Sequence, residues 1–450
     1  MAFWKKIMTF ALAGILAVQL GGCGSGEAQD EEIEEIKVEV VGEEAAKEEP
    51  AEVLSDLETT ITWWTYPIFV QEEGQEDGAY EQQLIKEFNK KYPNITVELR
   101  MLDYTEGPSQ VQSVIESESG EMPNVLLDEP GRISSYAKKG VLADISDMFT
   151  EEVASDIVSE GILSACRNGD AYVMYPLSGS NYVMAFNRYM IEGSGAIELM
   201  NREGACTWTT DAFEQVLERL NASGFNSGML YCSGIAGDYA TRSFITNLYD
   251  GSLMNEDMTA YTMNSEENRQ ALSKIKEWME KGWILNGSAF SGADAVASFV
   301  SGEALAENGV EVVVMPYPSA DGVPSLEYML NGFCIFENGD ADKLQASRYL
   351  VDFLCNDESV AVENVVRSGA FPVRTSMGDV YEGNADAQLY EALMPYSGTY
   401  YNKVEGFEEM RVYWYQMETE ILNEEYSVED ATDSFVEYAD KTLVKEEKEE

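Results

Sequence analysis

The sequence predicts an α/β protein with two doubly wound lobes, and three features of the chain support this fold class. Short apolar strands alternate with amphipathic helices from Thr60 to Leu127, and a second series of the same kind begins near Tyr172. Alternating strands and helices place helices on both faces of a parallel sheet, with right-handed crossovers. About 390 residues follow the N-terminal segments, which is more than one hydrophobic core accommodates, so we expect two lobes.

The first lobe is predicted from local patterns early in the chain. Leu84, Ile85 and Phe88 recur at helical spacing, and Pro93 ends this helix. A second helix is predicted over residues 111–118. The predicted strands are residues 60–65, 95–102 and 124–127.

The second series of elements repeats this order. Thr209 or Thr210 is the expected N-cap of a helix, because Asp211 and Glu214 occupy its first turn. The predicted elements are strands over residues 171–176 and 182–186 and helices over residues 208–221, 268–281 and 342–355.

The N-terminus has the pattern of a secretory signal peptide. Lys5 and Lys6 precede an apolar run of about 14 residues, roughly 21 Å as a helix, which is short for a membrane span. The sequence Leu-Gly-Gly then precedes Cys23, and it resembles a bacterial lipobox. This resemblance implies that residues 1–22 are removed and that Cys23 is lipidated; the alternative is an ordinary secretory signal with a chance cysteine.

Charged segments flank the predicted lobes. Residues 23–58 are dominated by Glu and Asp, and this composition predicts a disordered, lipid-anchored linker. The alternation from Ile33 to Val41 is also compatible with a short strand or helix. Residues 441–450 form a charged tail.

Composition excludes several kinds of function. The chain has a net charge of −53 and no histidine. A polyanion is not drawn to nucleic acid or to anionic lipid, so no nucleic-acid partner is expected. Without histidine there is no Ser-His-Asp or Cys-His nucleophile and no zinc site that contains histidine.

The cysteines do not form a disulfide framework. Five remain if Cys23 is lipidated, and an odd number at wide spacings favours buried free thiols, with room for one bridge.

Six segments carry a family resemblance through their order and spacing. With them, the chain from about Thr60 to Tyr438 resembles the extracellular solute-binding proteins of ABC importers, in the carbohydrate-binding, maltose-binding-protein-like branch (family 1). Residues 297–309 depart from the family pattern, because no Trp follows Gly302, so a pocket wall is expected to be rebuilt. The six segments are residues 84–97 (LIKEFNKKYPNITV), 121–125 (EMPNV), 136–145 (YAKKGVLADI), 169–188, 207–213 (TWTTDAF) and 369–374 (GAFPVR).

The resemblance implies a type II periplasmic-binding-protein-like fold, in which three crossings join the lobes. A proline in each expected crossing suits extended backbone better than a helix. The expected crossings are Pro176–Tyr182, Met315–Pro318 and Ala370–Arg374. The expected lobes are residues 59–176 plus 317–369 and residues 180–312 plus 372–440.

Ligand is expected between the lobes, near the carboxyl ends of parallel strands. Aromatic rings stack on the C–H face of a sugar, and carboxylates, amides and arginine bind its hydroxyls. The candidate ligand-binding residues are Trp63, Trp64, Tyr66, Asp128, Glu129, Asn181, Tyr182, Asn331, Gly332 and Arg374.

Several of these candidates have a second interpretation. Strand alternation places Trp63 and Trp64 on opposite faces, so one is expected in the core. The Asp128-Glu129 pair is equally suited to capping a helix or to a solvated loop. Gly332 permits close backbone approach to a ligand. Arg374 suits a carboxylate, a phosphate or a pair of sugar hydroxyls, or a salt bridge between the lobes.

The resemblance implies an extracellular substrate-binding component of an ABC transporter. Such a protein binds a mono- or oligosaccharide and delivers it to a membrane permease, with no catalysis, cofactor or metal. We expect a monomer, lipid-anchored on the outer face of the cytoplasmic membrane. Two alternatives stay open: the same fold with a peptide, polyamine or organic anion as ligand, and a secreted glycosidase that uses two carboxylates.

Overall fold

The structure is a computed structural model of the 450-residue chain, and it describes residues 54–117, 122–224, 229–231, 238–286, 296–297 and 311–443. The predicted signal peptide, Cys23, most of the acidic linker and the segment that follows Gly302 lie outside the described residues. The end of the predicted linker contacts the first lobe. The Leu54 N–H donates to the Lys91 carbonyl at 3.0 Å, and Leu57 packs against the first core.

The strands of the structure belong to two large sheets and one small hairpin. In chain order they are β1 (Thr59–Thr65), β2 (Ile95–Met101), β3 (Val125–Asp128), β4 (Arg167–Asn168), β5 (Ala171–Tyr172), β6 (Tyr175–Asn181), β7 (Met184–Asn187), β8 (Met229–Tyr231), β9 (Ile284–Asn286), β10 (Val296–Ala297), β11 (Val312–Met315), β12 (Tyr328–Ile335) and β13 (Phe371–Pro372).

The helices lie between these strands, close to the predicted positions. In chain order they are α1 (Ala79–Lys91), α2 (Gly107–Ser117), α3 (Pro130–Lys138), α4 (Glu151–Asp156), α5 (Glu160–Ala165), α6 (Arg188–Ser194), α7 (Thr210–Ala222), α8 (Asp238–Leu248), α9 (Glu266–Glu280), α10 (Ala341–Asn356), α11 (Ala361–Arg367), α12 (Ala385–Leu393), α13 (Phe407–Leu422) and α14 (Val428–Ala439). The predicted cap of α7 is confirmed at Thr209, whose hydroxyl accepts the Ala212 N–H at 3.2 Å.

The first sheet has the order β13-β6-β12-β3-β1-β2. β1 pairs in parallel with β2 and β3, as the strand–helix–strand order predicts. β12 is antiparallel to both β3 and β6, and β13 is antiparallel to β6. The sheet is therefore mixed, because the later strands carry the chain to and from the second lobe and are not joined to their neighbours by a crossover helix.

The second sheet has the order β11-β7-β10-β8-β9. β8 pairs in parallel with β9 and β10, whereas β7 is antiparallel to β10 and β11. Each large sheet thus combines parallel strands with antiparallel ones, and helices flank the strands in chain order. The predicted fold class of two α/β lobes is confirmed.

Two hydrophobic cores define the two lobes. The first core contains β1, β3, β6 and β12 side chains, and the second contains β7 and β11 side chains with α7, α9 and α13. Residues Tyr317 and Leu326 belong to the second core, whereas Tyr328 belongs to the first. The chain therefore returns to the first lobe near residue 328, which is later than the expected boundary at residue 317.

The first crossing is shorter than expected. Pro176 is part of β6, where it pairs with Gly332 at a register shift, and the strand continues to Asn181. A proline is tolerated at such an irregularity because the ladder there does not need its missing N–H. The crossing itself comprises Tyr182 and Val183, which lead directly into β7.

The third crossing lies later in the chain than expected. Phe371 and Pro372 form β13 within the first sheet, and Phe371 and Val373 belong to the first core. The chain then enters α12, which contributes Ala387 to the first core and Leu393 to the second. The backbone of residues 371–372 is extended, as the proline predicts. It forms an edge strand, however, and a proline suits an edge strand as well as a hinge.

Four cysteines fall within the described residues, and all four are buried free thiols, as predicted: Cys166, Cys206, Cys334 and Cys355. Within the described ranges, no helix combines the length and apolarity needed to cross a bilayer.

Gly332 is needed by the packing of β12 on β6. A Cβ at this position would lie 2.5 Å from the Tyr175 carbonyl oxygen, which is closer than real Cβ atoms approach any backbone atom. The close backbone approach expected at Gly332 is therefore made to the neighbouring strand.

We expect Gly332→Ala to lower the free energy of unfolding by about 1–3 kcal/mol, because the added methyl overpacks a fixed backbone contact. Chemical denaturation measures this change. Asn331→Ala, one position earlier and half-buried, is the control and should cost much less. Equal stabilities for the two variants would contradict this prediction, because they would mean that β6 and β12 move apart to admit the methyl group at no cost.

Glu391 on α12 makes stability depend on pH. Its carboxylate accepts the Val380 N–H at 2.9 Å, and burial together with a hydrogen bond to Asp379 raises the pKa of Glu391 to about 7. The folded protein therefore holds a proton that the unfolded chain releases at lower pH. The resulting stabilisation is present at low pH and is lost as the pH rises through about 7.

We expect the Glu391→Gln protein to lose this contribution to the pH dependence. Its melting temperature should fall less than that of the parent between about pH 5 and about pH 8. Glu382→Gln, at a neighbouring exposed position, should keep the slope of the parent. Identical slopes for the parent and Glu391→Gln would contradict the assignment.

Candidate functional site

The edge of the first sheet that faces the second lobe is fixed by strand register. Gly332 of β12 pairs with Asp128 at the end of β3, and Tyr328, at the start of β12, pairs with Asn181 at the end of β6. The carboxyl ends of β1, β2 and β3 therefore lie at the edge from which β6 leaves for the second lobe. Loops at such an edge form the binding crevice of open α/β sheets.

Two tyrosines form a stacked platform at this edge. Tyr66 follows β1 and Tyr104 follows β2, and their ring centroids lie 5.5 Å apart with an interplanar angle of 14°. Tyr66 is 2% exposed and Tyr104 43% exposed, so Tyr104 presents the outer ring. The Tyr66 hydroxyl is buried and finds no hydrogen-bond partner among the described residues. A buried hydroxyl without a partner is costly unless a ligand supplies one.

Both phenols are neutral donors at ordinary pH. Burial, with the nearby Asp128 carboxylate, raises the pKa of Tyr66 well above its usual value. Desolvation by the surrounding protein raises the pKa of Tyr104 to about 12 although its ring is partly exposed.

Arg132 of α3 holds two carboxylates beside this platform. Its Nε and Nη2 bind the fully buried Asp128 at 2.7 and 2.6 Å, and its Nη1 binds Glu129 at 2.8 Å. The guanidinium lies 5.5 Å from the centre of the Tyr66 ring. Asp128 also accepts the Tyr136 hydroxyl at 3.1 Å. Asp128 is thus committed to the protein, whereas the Glu129 side chain is 40% exposed.

The second lobe presents a matching group. Arg411 of α13 directs Nε and Nη2 to the fully buried Asp238 at 2.8 and 2.9 Å. Its Nη1 binds Glu408 at 2.8 Å, and the Glu408 side chain is 73% exposed. The Arg411 guanidinium lies 5.2 Å from the centre of the Tyr239 ring. Each lobe therefore carries an arginine on a tyrosine ring, with a buried aspartate and an exposed glutamate.

Asn402 lies between the two groups. Its amide donates to the Tyr239 hydroxyl at 2.8 Å. On the other side, the backbone carbonyl oxygen of Asn402 lies close to Gly131 of α3, where an added Cβ would be only 2.9 Å away. Asn402 therefore contacts α3 of the first lobe on one side and Tyr239 of the second lobe on the other.

A buried arginine anchors the face of the second lobe. Arg242 binds both oxygens of Glu327, from Nε at 2.9 Å and Nη2 at 2.8 Å, and also pairs with Asp238. Its guanidinium lies 4.6 Å from the Tyr239 ring. Tyr182 of the first crossing stacks on the same ring at 5.2 Å, and its N–H donates to the Glu327 carbonyl at 2.9 Å. These contacts join two crossings to the second lobe.

The structure separates the three aromatic candidates near β1. Trp63 is completely buried in the first core, with its ring 6.3 Å from Phe333. Trp64 is buried on the opposite face beneath Arg100, whose guanidinium lies 4.0 Å from its ring. Strand alternation is as predicted, but both faces of the sheet are covered. Tyr66 alone of these candidates lies at the edge that faces the second lobe.

Asp128 and Glu129 lie beside Tyr66 at the same edge. Glu129 is the N-cap residue of α3, but its carboxylate makes no capping bond and pairs with Arg132 instead. Desolvation raises the pKa of Glu129, and charges from both lobes act on it, namely Arg132 and Asp128 from its own lobe and Glu408 and Arg411 from the other.

The remaining candidates have mainly structural surroundings. Asn181 donates to the Leu393 carbonyl at 2.6 Å and accepts the Ser397 hydroxyl at 2.8 Å, so it ties the first crossing to the third. Asn331 is half-buried within β12.

Arg374 pairs with Asp156 at 2.9 Å and also donates to Asn356. Arg374 and both of its partners lie within the first lobe, so its ion pair does not bridge the two lobes.

The sequence patterns did not single out Tyr104, Arg132, Tyr239 or Arg411, although three of these residues carry a local signal. Arg132 follows Asp128 and Glu129 at helical ion-pair spacing, and Arg411 follows Glu408 in the same way. Tyr104 follows a predicted strand just as Tyr66 does. Tyr239 has no such signal, because its partners are distant in the chain.

The chain belongs to a known family. Residues 72–332 match the family described as "Bacterial extracellular solute-binding protein", and this match covers more than half of the chain. The family resemblance predicted from the six segments is therefore confirmed. The family is one of extracellular binding proteins.

Individual relatives agree with this assignment. The arabinooligosaccharide-binding protein of Bacillus subtilis (strain 168) is 27% identical over 157 residues, which are 34% of this chain and 33% of that protein. The matched part thus spans about a third of the length of that curated relative.

Solved structures share the fold over most of the chain. The cyclic alpha-maltosyl-1,6-maltose binding protein from Arthrobacter globiformis has a TM-score of 0.70 at 18% identity, over 86% of this chain and 99% of that one. The sugar-binding protein MalE from Xanthomonas citri has a TM-score of 0.70 at 15% identity, over 86% and 97%. At these identities the likeness establishes the type II fold.

Proposed function

We propose that this protein is the extracellular substrate-binding component of an ABC transporter, which binds a mono- or oligosaccharide between its lobes and delivers it to a membrane permease. The observation that carries the proposal is the Tyr66–Tyr104 platform, which lies at the edge facing the second lobe and ends in an unpartnered buried hydroxyl. An aromatic platform accepts the C–H face of a sugar ring, and the phenols can donate to its hydroxyls.

The charges beside the platform favour an uncharged ligand. Arg132 and Arg411 each already bind two carboxylates of their own lobe. An organic anion would have to displace these carboxylates, whereas sugar hydroxyls can share them as acceptors. The curated relative is an arabinooligosaccharide-binding protein. Of the two structural relatives, one is named as a cyclic alpha-maltosyl-1,6-maltose binding protein and the other as a sugar-binding protein. These names support a carbohydrate over a peptide or polyamine.

The predicted N-terminus completes the proposal. Lipidation of Cys23 would tether the protein as a monomer outside the cytoplasmic membrane, with the acidic segment as a spacer. Ligand would favour the closed arrangement of the lobes by its higher affinity for that form, with no bond chemistry. The ligand would then leave the protein unchanged, which distinguishes this function from that of a glycosidase.

A thermal-shift screen of residues 24–450 tests the function directly. The panel contains mono- and oligosaccharides, amino acids, polyamines and organic acids. Ligand at about 100 times its dissociation constant should add roughly 2.7 kcal/mol of stability, which raises the melting temperature measurably. A shift with sugars, which are recovered intact, is the expected result. A shift with a charged solute alone, or release of new reducing ends, would overturn the proposal.

Tyr66→Phe separates ligand binding from stability. We expect this variant to be at least as stable as the parent, because the removed hydroxyl has no partner among the described residues. Its affinity for the sugar found in the screen should fall about ten-fold, equivalent to roughly 1.4 kcal/mol for one lost hydrogen bond. Isothermal titration calorimetry and thermal denaturation measure the two effects.

The matched control is Tyr80→Phe. The Tyr80 hydroxyl is also buried, but it donates to Asn364 at 2.8 Å. This control should lose stability and keep its affinity. If Tyr66→Phe instead loses stability and keeps its affinity, Tyr66 is a core residue.

A further inference from the structure

The two arginines use the same edges of their guanidinium groups. In both Arg132 and Arg411, Nε and Nη2 face the buried aspartate of the same lobe, and Nη1 faces an exposed glutamate at 2.8 Å. The bond to a buried, charged partner fixes the head group of each arginine. The bond to the exposed glutamate is weak, because solvent screens it. Each Nη1 is therefore a positioned donor with an exchangeable partner.

The two exchangeable pairs face each other across Asn402. Glu129 lies two residues before Gly131, which packs against the Asn402 carbonyl oxygen. On the opposite side, the Asn402 amide holds Tyr239, and Arg411 lies over the Tyr239 ring. The pKa of Glu129 is raised chiefly by desolvation, and the charges of Glu408 and Arg411 also act on it. Glu129 and Arg411 thus lie on opposite sides of Asn402, and closure of the lobes would carry them toward each other.

We propose that Glu129 and Arg411 are positioning residues for closure, and that the Nη1 of Arg411 exchanges Glu408 for Glu129 when the lobes close. Arg132 keeps its bonds to Asp128, and Arg411 keeps its bonds to Asp238, so neither buried carboxylate is left unpaired. The exchange breaks two exposed pairs, Arg132–Glu129 and Arg411–Glu408, and forms one less exposed pair that joins the lobes. The proposal rests on the proposed function only in that a bound solute drives closure; the exchange itself requires no particular ligand.

Glu129 and Glu408, which each bind an arginine in this structure, should therefore shift the ratio of closed to open form in opposite directions. Glu129 stabilises the closed form, whereas Glu408 competes for Arg411 and stabilises the open form. A merely structural role would give both substitutions the same sign, because each removes one exposed ion pair of the same geometry.

Small-angle X-ray scattering of the ligand-free protein, from residue 24 onward, measures this difference. We expect Glu129→Gln to increase the radius of gyration and Glu408→Gln to decrease it, as the closed-to-open ratio changes about five-fold in opposite directions. High ionic strength should shift the parent toward the closed form, because salt screens the exposed pairs of the open form more than the less exposed pair of the closed form, and it should leave Glu129→Gln nearly unchanged. Glu87→Gln, which removes an exposed pair with Lys90 on α1, is the matched control and should change neither quantity.

Arg411→Lys supplies the second variant. A lysine keeps the charge but lacks the fork that binds Asp238 and a glutamate together. It should open the protein as Glu129→Gln does, and the Glu129→Gln, Arg411→Lys double variant should open it no further. Additive effects, or shifts of the same sign for Glu129→Gln and Glu408→Gln, would overturn the exchange.

The scattering experiment contains no sugar, so its outcome is independent of the ligand screen. If no sugar stabilises the protein but the two glutamate variants change the radius of gyration in opposite directions, the carbohydrate assignment is rejected and the exchange is kept. Sugar binding without opposite shifts would reject the exchange and keep the proposed function.

Discussion

The face of the second lobe depends on one buried guanidinium. Arg242 has no exposed surface, and removing a charge from water is costly unless the charge is fully paired. Glu327 binds it through both oxygens, Asp238 completes the pairing, and the Tyr239 ring covers it. Because Glu327 belongs to the second crossing and Asp238 to α8, this pairing holds the crossing to the lobe. Asp238 also binds Arg411, so the buried Arg242–Asp238 pair helps to fix the position of Arg411.

The two sides of the cleft are alike in charge and different in shape. Each lobe presents an arginine, Arg132 or Arg411, that is held by a buried aspartate, so both guanidinium groups are positioned before any ligand arrives. The stacked rings of Tyr66 and Tyr104 belong to the first lobe alone. In the proposed binding cycle, the first lobe therefore offers a flat apolar surface, and the second supplies a polar cover. This division suits a ligand with one apolar face and many hydroxyls.

Local sequence patterns predicted the local structure well and the crossings less well. The α1 helix and its neighbouring strands follow from spacing and from Pro93, and the Thr209 cap follows from one hydroxyl. The third crossing was placed too early, because a proline indicates extended backbone and does not distinguish an edge strand from a hinge. The placement of the site at the carboxyl ends of the parallel strands stays a prediction, which the Tyr66–Tyr104 platform supports. The individual residues of the site were harder to predict, because Arg374 meets a partner far away in sequence and because Phe333 and Arg100 cover the rings of Trp63 and Trp64 on the two faces of the sheet.

The helix α12 belongs to both cores. Ala387 packs in the first, Leu389 and Leu393 pack in the second, and Tyr390 contacts both. Disorder in either lobe would expose apolar surface on this one helix, so the loss of one core weakens the other. The two lobes therefore share one cooperative unit of unfolding. In the proposed binding cycle, the motion that admits a ligand is thus separate from the partial unfolding that proteases exploit.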